Sequence, residues 1–176
     1  WQEMLPKVFP FHPIALYALP RLSARLSQNE RTMFTFLGSD DPVGFKAFLR
    51  RTELGRRKLP SLTLDYLFEY FVSGAPFLSL GPEAQKGLSE VDVALDRLGE
   101  RNSLETQVVK VVGTLSLLRG GALLPASEPV IAAALDLTTK RDRAKLSETL
   151  ENLLARKVLV FRKFTGEYKV WQGSDL

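Results

Sequence analysis

The stretch Thr139–Trp171, TKRDRAKLSETLENLLARKVLVFRKFTGEYKVW, decides the fold. In its first half Leu146, Leu150, Leu153 and Leu154 lie on one helical stripe, behind Thr139 and Asp142 at the spacing of a capping box. Its second half changes period. KVLVFRKF (Lys157 to Phe164) and EYKVW (Glu167 to Trp171) alternate in strand fashion around Thr165 and Gly166, which predicts a hairpin with a two-residue turn.

Two more helices precede this stretch. Asn102 caps one that runs to about Leu118, with Leu104, Val108, Val111, Val112, Leu115 and Leu118 on its apolar face, and Gly120 with Gly121 stops it. Ser127 caps a short one carrying Val130, Ile131, Ala134 and Leu135. Three helices followed by a hairpin give the order of a winged helix-turn-helix, expected over residues 101–176.

The first hundred residues read as a helical, lid-like domain. Pro10, Pro13 and Pro20 divide FPFHPIALYALPRLSARL into short helical pieces, because proline suits a first turn and breaks an interior. Ser27 with Glu30 forms a capping box opening a helix through NERTMFTFL, with Met33, Phe34 and Leu37 on one face and Gly38 at its end. Asp41 with Pro42 opens a helix to about Arg51, Leu64 to Val72 is an aromatic helix closed by Gly74, and Pro82 to Leu98 is a helix closed by Gly99. The fold class is therefore mainly α, a helical domain over 1–100 and a winged helix with a small β-hairpin over 101–176.

Composition narrows the chemistry. Across 176 residues, 45% hydrophobic and 25% charged, ordinary cores can form. No apolar run nears the roughly 20 residues a membrane helix needs and no secretory leader is visible, so a soluble cytoplasmic protein without membrane contact is expected. The absence of cysteine excludes disulfides and thiolate metal sites, and the single histidine, His12, argues against a histidine metal cluster or a Ser-His-Asp triad. Carboxylate pairs remain as the enzyme route: Asp40 with Asp41, Asp65 with Glu69 and Asp92 with Asp96 each have capping or helical explanations. The Trp1 start and the abrupt end at Leu176 are those of a fragment cut from a longer protein.

Charge points to the C-terminal part. Residues 1–100 balance basic against acidic side chains, so the whole excess of +4 falls in residues 101–176. Lys140, Arg141, Arg143 and Lys145 would face a DNA groove from the third helix, and Arg162, Lys163 and Lys169 would meet phosphates from the wing. Asp142, Glu148 and Glu151 interrupt that field, which keeps open a winged helix that binds protein only. In the N-terminal part Arg31, with Asn29 and Glu30, stands where a capped first helical turn would meet a nucleotide phosphate, with His12 nearby in sequence. The run Arg50, Arg51, Arg56, Arg57 and Lys58 reads as a solvated loop. The glycine-bearing stretches LGSDD and LRGGALL lack GxxxxGK[ST], so this chain has no P-loop.

FHPIALYALPRLSARLSQNERTMFTFL, LLARKVLVFRKFTGEYKVWQGSDL and, within them, QNER and YKVWQGSD resemble large bacterial P-loop ATPases of the AAA+ type, related to origin-recognition ATPases and encoded in phage-defence islands such as BREX systems. The resemblance spans most of the chain. It implies a lid and a winged helix without their ATPase core. ATP and magnesium would belong to the parent protein, Arg31 would be a nucleotide-sensing arginine, and no catalytic residue carries over because both Walker motifs are missing. Partners implied are the missing core, double-stranded DNA and other subunits of a defence complex. Two readings stand beside it, a protein-interaction winged helix and a free-standing transcriptional regulator.

Overall fold

The structure, a computed structural model, describes residues 8–26, 32–52, 59–73, 81–99, 103–118, 124–171 and 173. It is mainly helical with a small two-stranded antiparallel hairpin near the C-terminus, and it divides into two compact units, Trp1–Ser79 and Leu80–Leu176. Among the described residues no helix is long and apolar enough to cross a membrane.

The first unit contains α1 (Pro13–Leu26), α2 (Met33–Gly38), α3 (Phe45–Arg51) and α4 (Leu64–Phe71). Pro13 opens α1 as expected, but Pro20 does not divide it: the helix runs through, with Pro20 inside. Pro20 lies on the exposed side, where solvent can meet the carbonyl it leaves unpaired. Around it Arg21 stacks over the Tyr17 ring at 3.6 Å and donates to the Tyr17 carbonyl at 2.8 Å. The opposite stripe, Ala15, Ala18, Leu19, Leu22 and Leu26, is buried, and α1 packs on α4.

Two helix starts differ from the sequence reading. The described α2 is capped by Thr32, and the expected box of Ser27 with Glu30 lies outside the described residues. Thr32 Oγ1 accepts from the Thr35 N–H at 3.2 Å, while Thr35 Oγ1 accepts from the Thr32 N–H at 2.7 Å, so threonine fills the place expected of an acidic partner. Of the face expected on α2, Met33 and Leu37 are half-buried, but Phe34 points outward. Phe36 is the buried residue and Phe34 is 77% exposed. Asp41 and Pro42 form a turn instead of a helix: Asp41 Oδ1 accepts from the Val43 N–H and its carbonyl from the Gly44 N–H, both at 2.9 Å, and α3 starts only after Gly44. A Cβ at Gly44 would lie 3.2 Å from the Asp41 oxygen and 3.3 Å from that of Phe36, so the bare backbone is what lets the turn close.

Aromatic rings fill this core. Phe36 meets Phe11, Phe45, Tyr70 and Phe71 with centroid separations of 4.9–6.5 Å. Two tyrosine hydroxyls reach the loops: that of buried Tyr70 donates to Thr35 Oγ1 at 3.0 Å, and that of half-buried Tyr66 to the Gly44 carbonyl at 3.1 Å. Burial pushes the Tyr66 phenol above its usual range.

The second unit holds α5 (Pro82–Leu98), α6 (Leu104–Leu117), α7 (Glu128–Ala134), α8 (Lys140–Ala155) and the strands β1 (Leu159–Arg162) and β2 (Glu167–Val170). Packing places the division between units at Ser79 and Leu80, so α5, which the sequence reading puts with the first hundred residues, belongs to the second unit. Gly113 of α6 shows why. Its Cα seats Val91 of α5 so closely that a Cβ would come within 2.6 Å of Val91 Cγ2. Consequently α6 is a central helix, buried from Val108 to Leu115 on every side, where periodicity alone predicts one apolar face. Its cap is Ser103, one residue beyond Asn102, with Ser103 Oγ accepting from the Thr106 N–H at 3.3 Å.

Around α6 lie α5, α7, α8 and β2. The hairpin pairs Leu159 with Val170 through Arg162 with Glu167, leaving four residues, Lys163 to Gly166, in the turn instead of the two expected. The Thr165 and Gly166 N–H groups both donate to the Arg162 carbonyl, at 3.2 and 2.8 Å, and Gly166 takes the left-handed conformation (φ 67°) that closes the loop.

Candidate nucleic-acid interface

The basic face begins with a helix cap. Thr139 Oγ1 accepts from the Asp142 N–H at 3.1 Å and donates to Asp142 Oδ2 at 2.7 Å, and the Thr139 N–H completes the box at 3.4 Å. Asp142 is thereby turned back on the helix start, where its charge also favours the positive end of the helix dipole. Behind the cap Leu146, Leu150 and Leu153 are buried against α6 and α7. Helical geometry then leaves Lys140, Arg141, Arg143 and Lys145 exposed in the first turn and a half. Two polar links fix α8. Ser147 Oγ donates to the Glu128 carboxylate of α7. Arg156 holds both oxygens of Glu105, at 2.8 and 3.0 Å, and so ties the helix end to the first turn of α6.

The three cations of the hairpin are not equivalent. Arg162 and Lys163 are exposed at the hairpin tip, whereas Lys169 is half-buried in register with Val160, farther down the strands. The Tyr168 N–H donates to the Ala126 carbonyl at 2.9 Å, which joins β2 to the segment leading into α7, and at the base of the hairpin the Trp171 N–H donates to the Val158 carbonyl at 3.0 Å. The phenol of Tyr168 is raised above its usual range, by burial first and then by the carboxylates of Glu128 and Glu151.

Aromatic exposure on this hairpin escapes a search for charged motifs. Phe164 in the turn is 102% exposed and Phe161 is 39% exposed, the latter against Tyr168 at a centroid separation of 4.9 Å. The signal in the sequence is FRKF, two phenylalanines bracketing two cations where β1 runs into the turn. Elsewhere in the second unit Lys86, Arg97, Lys157 and Trp171 line a shallow hollow of about 260 Å³.

Sites expected in the first unit fare differently. His12 caps α1: its Nδ1 accepts from the Ile14 N–H at 3.3 Å, and its backbone N–H donates to the Leu62 carbonyl at 2.9 Å. Asn29, Glu30 and Arg31 lie outside the described residues, and the described α2 opens only at Met33. In the basic run, Arg50 donates to Asp40 Oδ1 at 2.6 Å and holds that carboxyl below its usual range. Arg51 is exposed, and Arg56, Arg57 and Lys58 also fall outside the described residues. Among the carboxylate pairs, Asp65 Oδ1 accepts from Thr63 Oγ1 at 2.6 Å, and Asp92 is raised by desolvation and then by Asp96. Asp41 is occupied in its turn.

Comparison of the chain with protein-family models, with curated proteins and with solved structures found no match.

Proposed function

We propose that the second unit is a winged helix-turn-helix that contacts double-stranded DNA, and that the chain is a non-catalytic part of a larger ATP-dependent protein in which nucleotide state governs that contact. One observation carries the DNA contact: Lys140, Arg141, Arg143 and Lys145 are all exposed at the start of a helix whose other side is locked into the core. Four cations in six residues, held on a rigid element, suit phosphates and base edges in a groove. The order α6, α7, α8, β1, β2 supports the winged-helix reading, as does the bond from Tyr168 to Ala126, where such a fold pairs its hairpin with the segment between its first two helices. The first unit would serve as the lid, and the ATPase core, ATP and magnesium would come from the parent protein; this part rests on the resemblance in sequence. Coupling would then work by a lid movement that repositions the winged helix.

The test is anisotropy of labelled duplex DNA with the chain across a salt series. Binding that weakens steeply with salt, and that disappears when Lys140, Arg141, Arg143 and Lys145 are all changed to Glu, is the expected outcome. Undiminished binding by the variant would refute the assignment of α8. A second reading, a winged helix that docks on another subunit of a defence complex, is favoured by the exposed Glu148 and Glu151 farther along α8. Absence of DNA binding at low salt would support it.

A further inference from the structure

The turn of the hairpin carries a large apolar side chain that the fold does not use. Phe164 is fully exposed. Closure of the turn depends on the Arg162 carbonyl and on Gly166, and cross-strand packing is supplied by Phe161 against Tyr168, so neither requires a ring at position 164. The ring is as hydrated here as in the unfolded chain, so it adds nothing to folding and its whole apolar area stays available for burial against a ligand. The loop beneath is closed by two hydrogen bonds to one carbonyl, so the ring is offered from a short, constrained support.

Its neighbours indicate the occupant. Lys163 precedes Phe164 and is exposed, Arg162 is exposed beside it, and the carboxylate flanking the turn, that of Glu167 in register with Arg162, is buried. A protein pocket would accept the ring and gain little from the cations. A nucleic acid with an unstacked base satisfies both, since bases stack on aromatic faces while phosphates meet lysine and arginine. Intact duplex offers the cations phosphates but offers the ring no open base.

We propose that the hairpin tip recognises a break in base stacking: Phe164 stacks on the terminal base where duplex DNA gives way to single strand, and Lys163 with Arg162 engages the phosphates beside it. This rests on the reading of the second unit as a DNA-contacting winged helix, and it adds a structural preference that α8 alone would not have.

The experiment compares the wild-type chain with Phe164→Ala and Phe164→Tyr on two labelled DNAs, a blunt duplex and the same duplex carrying a single-stranded tail, with 2-aminopurine at the junction as a stacking reporter. Phe164 contacts no core, so all three proteins fold alike. For Phe164→Ala, tailed DNA is expected to bind about tenfold more weakly, with loss of the 2-aminopurine quenching, while blunt duplex changes less than about twofold; Phe164→Tyr keeps both. If Phe164→Ala binds both DNAs as the wild type does, or loses affinity for both equally, the junction proposal is overturned while duplex binding stands. Failure of the wild type to bind either DNA at low salt overturns the DNA reading itself.

Discussion

The two units build their cores from different side chains. In the first, Phe11, Phe36, Phe45, Tyr70 and Phe71 crowd into one cluster, and the hydroxyls of Tyr66 and Tyr70 reach out of it to hold the turns around α2 and α3. In the second, the core is aliphatic: Val108, Val109, Val111, Val112, Leu115, Ile131, Leu146, Leu150 and Leu153 are all essentially buried, while Phe161 and Phe164 remain on the surface beside cations. Short helices with long connections need large rings to span the gaps between them, and the ring hydroxyls then satisfy loop backbone that no sheet or long helix can pair. Longer helices around a central one fill space with branched aliphatics. The difference therefore separates a unit whose core is built from rings from one whose core does without them.

The largest expected effect tests the first half of that contrast. Phe36 is wholly buried and touches four other rings, so Phe36→Ala should destabilise the first unit by about 3–5 kcal/mol. Urea denaturation followed by circular dichroism would show it. A loss below about 1 kcal/mol would mean that the cluster is loosely packed and that the hydroxyl bonds, not the rings, hold these helices.

An intermediate effect tests where the second unit begins, and its sign decides. On an isolated helix Gly→Ala stabilises by about 1 kcal/mol. At Gly113 the new methyl would meet Val91, which is itself buried and stiff at χ1, so Gly113→Ala should instead destabilise by about 1–2 kcal/mol. Gly87 of α5 has nothing within 4 Å of its would-be Cβ, and Gly87→Ala should stabilise. Were both substitutions stabilising in urea melts, α5 would not pack on α6, and the division at residue 100 drawn from the sequence would be the better one.

How much of this was legible beforehand depends on whether a feature is local. Pro82 and Gly99 bracket α5 because a missing N–H suits a first turn and a left-handed residue (φ 72°) suits a cap, so both ends could be located from single residues. Thr139 with Asp142 was legible for the same reason, and with it the four exposed cations of the interface. Pro20 and Asp41 misled because each has two local solutions, and tertiary packing chose between them. A run such as VVKVVG gives a periodic face but says nothing of how many partners surround it. Lys110, 7% exposed among those valines, makes the run look two-sided when it is buried throughout. Phe164 was illegible as a site because a turn phenylalanine declares itself only once its exposure is known.

The smallest expected effect concerns how helices end, where the units again part. In the first unit α2 and α3 end in extended residues, Ser39 and Thr52, and α4 ends in helical Val72. In the second, α7 and α8 end with Asp136 (φ 55°) and Lys157 (φ 54°) in the left-handed region usually left to glycine. Both close the same motif. The Val158 N–H donates to the Leu153 carbonyl at 2.9 Å and the Lys157 N–H to that of Leu154 at 3.0 Å, as Leu137 and Asp136 do to Ala132 and Ala133. A left-handed lysine costs about 1–2 kcal/mol, part of which glycine would return as entropy of the unfolded chain, so Lys157→Gly should stabilise the second unit by about 0.5–1 kcal/mol. Asp136→Gly should do less, because aspartate tolerates this conformation better. Equal gains at both sites in thermal melts would make Lys157 an ordinary cap. A gain at Lys157 accompanied by weaker anion or DNA binding would show that the strain is retained for its side chain, which lines the hollow with Lys86, Arg97 and Trp171.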